Sequence, residues 1–402
     1  MLDLRDHLLS VTPFTVRQIL LHSTCVNSAG YCFSTFISLL LMLMVYRDMD
    51  ANCFRGDKNG KQHEGETKNG RSTKLRDLPK EILREVISNL PIKEAIQTAL
   101  ISKNWRNHWK HVSKVRLVQK AYAEREEFTY FVQNLLESLN TSCIKIFTLT
   151  FDVSEDTALV NGWLQGFINP TIQELNLDFE SLDGPLVFPD YLFSAKDLTH
   201  FQLTMPHILM LPSYISFPSL STMVFRDVLF PDTASAQRLF NACPSLKHLN
   251  LTDCNWGNCG TVHIACPLLE TLIIREWEDD ETDFIAQLDP PNCEIVISAG
   301  NLKTFSYDGD LLNDYVLDCN TSSITRGTVE VHPSPNDCTD ASLFVLRLMK
   351  ALADVERLSI SDFATEVWSH MLHAYCIVVL IQETVLKSEI WNLLFVHITG
   401  SV

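Results

Sequence analysis

From residue 144 onward the chain repeats one arrangement of apolar positions: an apolar residue, two variable residues, a second apolar residue, one variable residue and a third. It appears as Ile144/Phe147/Leu149, Ile172/Leu175/Leu177, Leu198/Phe201/Leu203, Leu220/Met223/Phe225, Leu246/Leu249/Leu251, Leu269/Leu272/Ile274, Leu302/Phe305/Tyr307 and Val355/Leu358/Ile360. Alternation at the end of each copy is the period of a strand with one buried face. Successive copies start 28, 26, 22, 26, 23, 33 and 53 residues apart. The last interval has room for two periods, and Val329 and Val331 supply the missing strand. Chance alternation would not hold such a period over eight copies, so the region predicts stacked repeats with one strand each.

Ahead of the repeats the period changes. Within residues 74–118, Ile82, Leu83, Val86, Ile87 and Leu90 share one helical face, with Asp77 as a cap and Pro79 in the first turn. Ala95, Ile96, Ala99 and Leu100 line a second helix, and Ser102 caps a third in which Trp105 and Trp109 stand four apart. A unit this small cannot turn all those faces inward, which predicts docking to a partner.

These residues carry a family resemblance. Leu78-Pro79, Ile82-Leu83, Leu90-Pro91, Lys93, Ala95, Ser102, Trp105-Arg106 and Trp109 resemble the F-box of plant-type F-box/leucine-rich-repeat proteins, from which Ile101, Asn104 and His108 depart. Ala242-Cys243-Pro244 and Ala265-Cys266-Pro267 resemble the junction that precedes strands in that family. The implied fold is an α+β and α/β repeat chain, a small three-helix F-box followed by a leucine-rich-repeat solenoid. The implied partners are a Skp-type adaptor and cullin scaffold on one side and an unknown client protein on the other. The implied function is substrate recruitment in an SCF-type ubiquitin ligase, without catalysis. Carried over residue by residue, the Skp-adaptor contact falls to Leu78, Pro79, Ile82, Leu83, Ile87, Leu90 and Pro91, with Trp105 and Trp109 joining core and interface.

The expected organisation is an apolar extension over 1–48, a polar linker over 49–73, the F-box over 74–118, the repeats over 119–362 and a divergent segment over 363–402. Residues 29–46 form an uncharged run near the lower length limit for a membrane span, and residues 47–76 carry eight Lys/Arg against two in residues 1–28. If the run spans a membrane, the chain beyond residue 46 is cytosolic; the other reading is a dispensable extension. The linker is too polar to fold. Residues 341–353 form an amphipathic helix, as in relatives with an FBD-type extension.

The net charge of −17 argues against nucleic acid as a partner. Residues 74–118, by contrast, hold ten Lys/Arg against four Asp/Glu, which suits an acidic protein partner. The twelve cysteines are scattered and read as reduced thiols in the cytoplasm or nucleus, where the sequons at Asn140, Asn250 and Asn320 stay unused. Cys254, Cys259, His263 and Cys266 fit no zinc-finger spacing, so neither metal nor cofactor is expected. No phosphate loop, dinucleotide fingerprint, nucleophile elbow or HExxH occurs. The acidic run Glu276 to Asp283 reads as an inserted, solvated loop. With the repeat leucines inside, alternation turns Glu174, Asn176, Asp178, His200, Gln202, Arg226, His248, Asn250, Arg275 and Asp308 outward as a client-binding surface. The competing class is a leucine-rich-repeat receptor or scaffold, held on a membrane through residues 29–46 and uncoupled from ubiquitination.

Overall fold

The computed structural model describes residues 79–100, 103, 105–154, 156–257, 259–277, 293–318, 324–332, 344–345, 347–348, 350–352, 355–361 and 363–364. Residues 1–78 and 365–402 lie outside them, so the apolar run, the linker, Asp77, Leu78 and nearly all of the divergent segment do too. The chain divides at Ser113/Lys114 into two units.

In the first unit two prolines set two helix starts. Pro79 is the N-cap of α1 (Lys80–Ser88) and Pro91 that of α2 (Ile92–Gln97). Each proline carbonyl accepts the first helical bond, from Leu83 N at 3.1 Å and Ala95 N at 2.9 Å. Proline suits these positions because its missing N–H would have no helical acceptor. The expected third helix is tighter: His108–His111 form a 3-10 turn, with His108 N bonded to Trp105 O at 3.1 Å. That turn packs on α1. Ser102 lies outside the described residues.

The second unit is a stack of repeats. Its main sheet has ten strands in the order β1-β2-β3-β4-β5-β6-β8-β10-β12-β13, every neighbouring pair parallel. The members are β1 (Lys114–Val118), β2 (Ile146–Phe151), β3 (Glu174–Phe179), β4 (His200–Ile208), β5 (Thr222–Leu229), β6 (His248–Thr252), β8 (Thr271–Glu276), β10 (Thr304–Gly309), β12 (Arg326–Val331) and β13 (Arg357–Ile360). All eight apolar phrases end in strands of this sheet, and Val329 and Val331 sit buried in β12. The stretch KVRLV, grouped above with the helical module, is the first strand of the stack, with Val115 and Leu117 buried. β13 differs from its predecessors: Leu358 is 38% exposed.

Returning segments form the layer behind the sheet. Early repeats return through α3 (Arg125–Ser138) and α4 (Thr157–Phe167), and a later one through α5 (Thr233–Asn241), capped by Asp232, whose carboxylate accepts from Ser235 N at 2.8 Å. Between β6 and β12 the return is by strand: β7 (Thr261–Ala265), β9 (Glu294–Ser298) and β11 (Asp314–Leu317) make a second parallel sheet in the order β11-β9-β7, whereas the described residues between 344 and 351, within the helix expected over 341–353, are helical. Rings fill the space between layers. Phe147 stacks on Phe167 at 5.0 Å, Trp163 meets Phe128 and Phe151, and Phe230 stacks on Trp256 at 4.7 Å. Burying each such side chain stabilises the fold by roughly 1.5–3 kcal/mol.

Candidate functional site: an apolar docking unit and an open sheet face

The residues assigned to Skp-adaptor contact divide by exposure. Leu83 and Ile87 are fully buried, and Leu90 and Trp105 nearly so, while Pro79, Pro91 and Ile82 are exposed and Trp109 is half-buried. Leu83, Ile87, Leu90 and Trp105 therefore belong to the core. Ile82, 48% exposed, and Leu100, 87% exposed, are the large apolar side chains this unit leaves in solvent among its described residues. Leu100, expected on the buried stripe of the second helix, ends the 3-10 turn that follows α2 instead. His108 is buried among cations, and desolvation, then Arg84, Lys80 and His111, depress its pKa.

Parallel pairing in the second unit sorts the outward residues into three rows. Glu174, His200, Thr222 and His248 are successive partners in one row, and Asn176, Gln202, Val224 and Asn250 in the next. The third runs Asp178, Thr204, Arg226, Thr252, Arg275, Asp308 and Glu330. All ten outward residues named from the sequence thus share one face, each half-buried or exposed.

The charged end of the third row is locally ordered. Asp308 faces Arg275 Nε at 3.6 Å and His332 Nε2 at 3.0 Å, and the His332 ring lies 4.7 Å from that of Trp277. Donor atoms of Asp308, Glu330 and His332 lie within 4.8 Å of one another, near enough to share a cation, though Arg275 and His332 already engage the Asp308 carboxylate. Glu330, His332 and Trp277 were absent from the sequence-based surface. The first follows from alternation around Val329 and Val331, whereas the other two lie just past strand ends.

At the opposite end of the sheet a cavity of about 260 Å³ is lined by Gln119, Lys120, Tyr122, Arg125, Asp152 and Glu180, among others. Both of its cations are engaged. Lys120 bonds Glu180, and Arg125 reaches Asp156 at 2.7 Å and Val153 O at 2.9 Å while lying over the Phe151 ring. Asp152 is held below the ordinary carboxylate value, chiefly by the Ser181 hydroxyl.

Contacts elsewhere in the second unit bear on two further expectations. Glu276, expected to open a solvated acidic run, is 2% exposed, and the rest of that run beyond Trp277 lies outside the described residues. The four residues weighed as a zinc set have separate neighbours. The Cys254 thiol donates to Phe225 O and Thr252 O, Cys259 pairs with Cys293, Cys266 neighbours Cys243, and His263 bonds Gln237. Among the described residues no helix is long and apolar enough to cross a membrane, and residues 29–46 are not among them.

Comparison with known proteins gives two family matches. Residues 75–117 match the F-box domain, and residues 160–306 match the family described as FBD-associated F-box protein At5g56370, LRR repeats. Similar chains come from Arabidopsis thaliana. F-box/LRR-repeat protein At3g26922 is 26% identical over 72% of this chain and 89% of its own length. F-box/FBD/LRR-repeat protein At5g56420 is 28% identical over 56% and 54%, and F-box/FBD/LRR-repeat protein At1g78750 is 23% identical over 73% and 66%. The chain spans about half the length of several of the curated relatives it matches. An F-box followed by FBD-associated leucine-rich repeats is thus what this chain carries, in the likeness of the plant F-box/FBD/LRR-repeat proteins.

Proposed function

We propose that the chain is a non-catalytic, substrate-recruiting subunit of an SCF-type ubiquitin ligase. The helical unit binds a Skp-type adaptor and through it the cullin scaffold, and the open face of the ten-stranded sheet binds a client protein. The observation that carries this reading is the conjunction of an F-box match over 75–117 with two apolar side chains of the same unit, Ile82 and Leu100, turned to solvent. An apolar side chain that stays exposed in a small unit is one a partner can cover. The face built from Glu174, Asn176, Asp178, His200, Gln202, Arg226, His248, Asn250, Arg275 and Asp308 offers donors and acceptors in register, suited to a polypeptide. Holding a client and the transfer machinery on one chain raises the local concentration of a client lysine near the ubiquitin thioester, so proximity supplies the rate. The site of action is the cytoplasm or nucleus.

Size-exclusion chromatography of the full chain with a purified Skp-type adaptor tests the reading. Co-elution is expected. Separate elution at micromolar concentrations would leave the scaffold or receptor reading in its place.

A further inference from the structure

Two thiols lie side by side in the layer behind the open face. Cys259 leads into β7 and Cys293 into β9, and these strands pair with Thr261 opposite Glu294 and with Glu294 N bonded to Gly260 O at 2.9 Å. In that register Cys293 lies beside Gly260, which makes Cys259 its diagonal neighbour; a strand spacing of about 4.8 Å and a rise of about 3.3 Å per residue put the two Cα atoms roughly 6 Å apart, inside the roughly 4.4–6.8 Å that a disulfide spans. The two thiols are near neighbours, Cys259 being 6% exposed and Cys293 0%, and the Cys293 thiol also donates to Glu294 O at 3.8 Å. The Thr233 hydroxyl also bonds the Cys259 sulfur. Thr233 opens α5, and its Oγ1 accepts from Gly260 N at 3.0 Å, which fixes the loop carrying Cys259 against the helix start.

These contacts make the two sulfurs unequal. The bond from Cys293, then that from Thr233, hold the Cys259 thiol below its ordinary value despite burial and the nearby Asp232 carboxylate. Cys293 is pushed up by the same shared bond and by burial. The other described thiols of this region are further from the thiolate form: burial pushes Cys254 up to about 12 and Cys266 to about 11, and raises Cys243 as well. Cys259 keeps the only exposure of the pair, 6% against 0% for Cys293, so peroxide reaches its sulfur: Cys259 is the one that attacks and Cys293 the one that resolves.

We propose that Cys259 and Cys293 form a redox site that closes to a disulfide when the chain meets hydrogen peroxide. The Cys259 thiolate attacks one peroxide oxygen, the O–O bond breaks, and the sulfur becomes a sulfenic acid while the departing hydroxide takes up a proton as water. The Cys293 thiol then attacks that sulfur. The S–S bond forms, the S–O bond breaks, and a second water leaves with the proton of Cys293. Two thiols give up two electrons, one peroxide is reduced, and two waters result. The bridge ties the entry of β7 to that of β9. It also touches the core beneath the open face, because Cys293 N donates to Asn313 Oδ1 at 3.3 Å while Asn313 Nδ2 donates to Glu276 at 3.0 Å.

The test is to treat the reduced, folded full-length chain with one equivalent of hydrogen peroxide, block free thiols with iodoacetamide and map the digest by mass spectrometry. The expected product is a Cys259–Cys293 cross-linked peptide that dithiothreitol reverses. A chain in which both stay thiols, in which either pairs with another cysteine, or in which the bridge appears only after denaturation overturns the proposal. In Cys293→Ser, peroxide is expected to leave Cys259 as a sulfenic acid captured by dimedone. An unlabelled Cys259 in that variant would contradict its role as the attacking sulfur.

Discussion

The Glu276 carboxylate at the end of β8 accepts a hydrogen bond from the Tyr315 hydroxyl on β11, at 2.9 Å, so one buried side chain joins the two sheets of the repeat unit. Tyr307 Oη at 2.7 Å, Asn313 Nδ2 at 3.0 Å and Asn313 N at 3.3 Å complete its set of donors. Removing the carboxylate leaves buried donors without an acceptor. Glu276→Ala is expected to lower stability by about 3–5 kcal/mol in urea unfolding, and Glu276→Gln by clearly less.

The same residue sets a pH dependence. Burial raises the Glu276 pKa above the ordinary 4.5, against the pull of its four donors. A carboxyl whose folded value is raised binds its proton more tightly when folded. Its contribution is therefore fully present below the unfolded value and is lost as pH rises through the folded one. Stability measured from neutral pH downward is expected to gain on that of Glu276→Gln until pH falls to about 4.5.

Gly309, which follows Asp308 on β10, has no room for a side chain. A Cβ there would lie 2.1 Å from the Glu276 carbonyl oxygen, a backbone atom that cannot step aside. At Gly327 on β12 the nearest atom is the tip of Leu358, 2.9 Å away on a flexible side chain. Gly309→Ala is expected to cost at or above the upper end of the ~1–3 kcal/mol typical of overpacking, and Gly327→Ala markedly less. Thermal denaturation of the two variants side by side checks the order.

Much of the fold is legible in the sequence, and the reasons are local. The phrase that places Leu272 and Ile274 inside β8 also points Glu276 inward by simple alternation, yet its place at the head of an acidic run suggests solvent. β7, β9 and β11 carry the same alternation in pieces of four or five residues with no shared phrase, too short to separate from loop by period alone. β1 is hidden by its position directly behind the tryptophans of the helical module in the sequence. Trp105 and Trp109, four apart, suggest α-helix, but spacing cannot tell an α turn from the tighter 3-10 turn that forms. The ten outward residues follow from alternation alone, because parallel strands in one register place equivalent positions in rows. Exposure within the helical unit is not legible. Adjacent residues Ile82 and Leu83 satisfy the same family pattern and only packing separates them.

Arg125 anchors α3 to the end of β2 through Asp156 and Val153 O while covering the Phe151 ring at 4.4 Å. Lysine keeps the charge but not the planar fork that reaches these acceptors together. Arg125→Ala and Arg125→Lys are both expected to lower the unfolding free energy, by roughly 1–3 kcal/mol for alanine, with lysine recovering less than half.

Leu83 and Ile82 give opposite kinds of variant. Leu83→Ala opens a cavity in a fully buried site, with an expected loss of about 2–5 kcal/mol in the helical unit. Ile82→Asp removes an apolar side chain that is 48% exposed and is expected to leave the circular dichroism spectrum unchanged.

The affinity of the full chain for a purified Skp-type adaptor, titrated calorimetrically beside the Ile82→Asp variant, tests the central claim most directly. The predicted result is saturable one-to-one binding by the parent and a loss of about tenfold or more in the variant. A parent chain that releases no heat of binding, or a variant that binds as tightly as the parent, would contradict it.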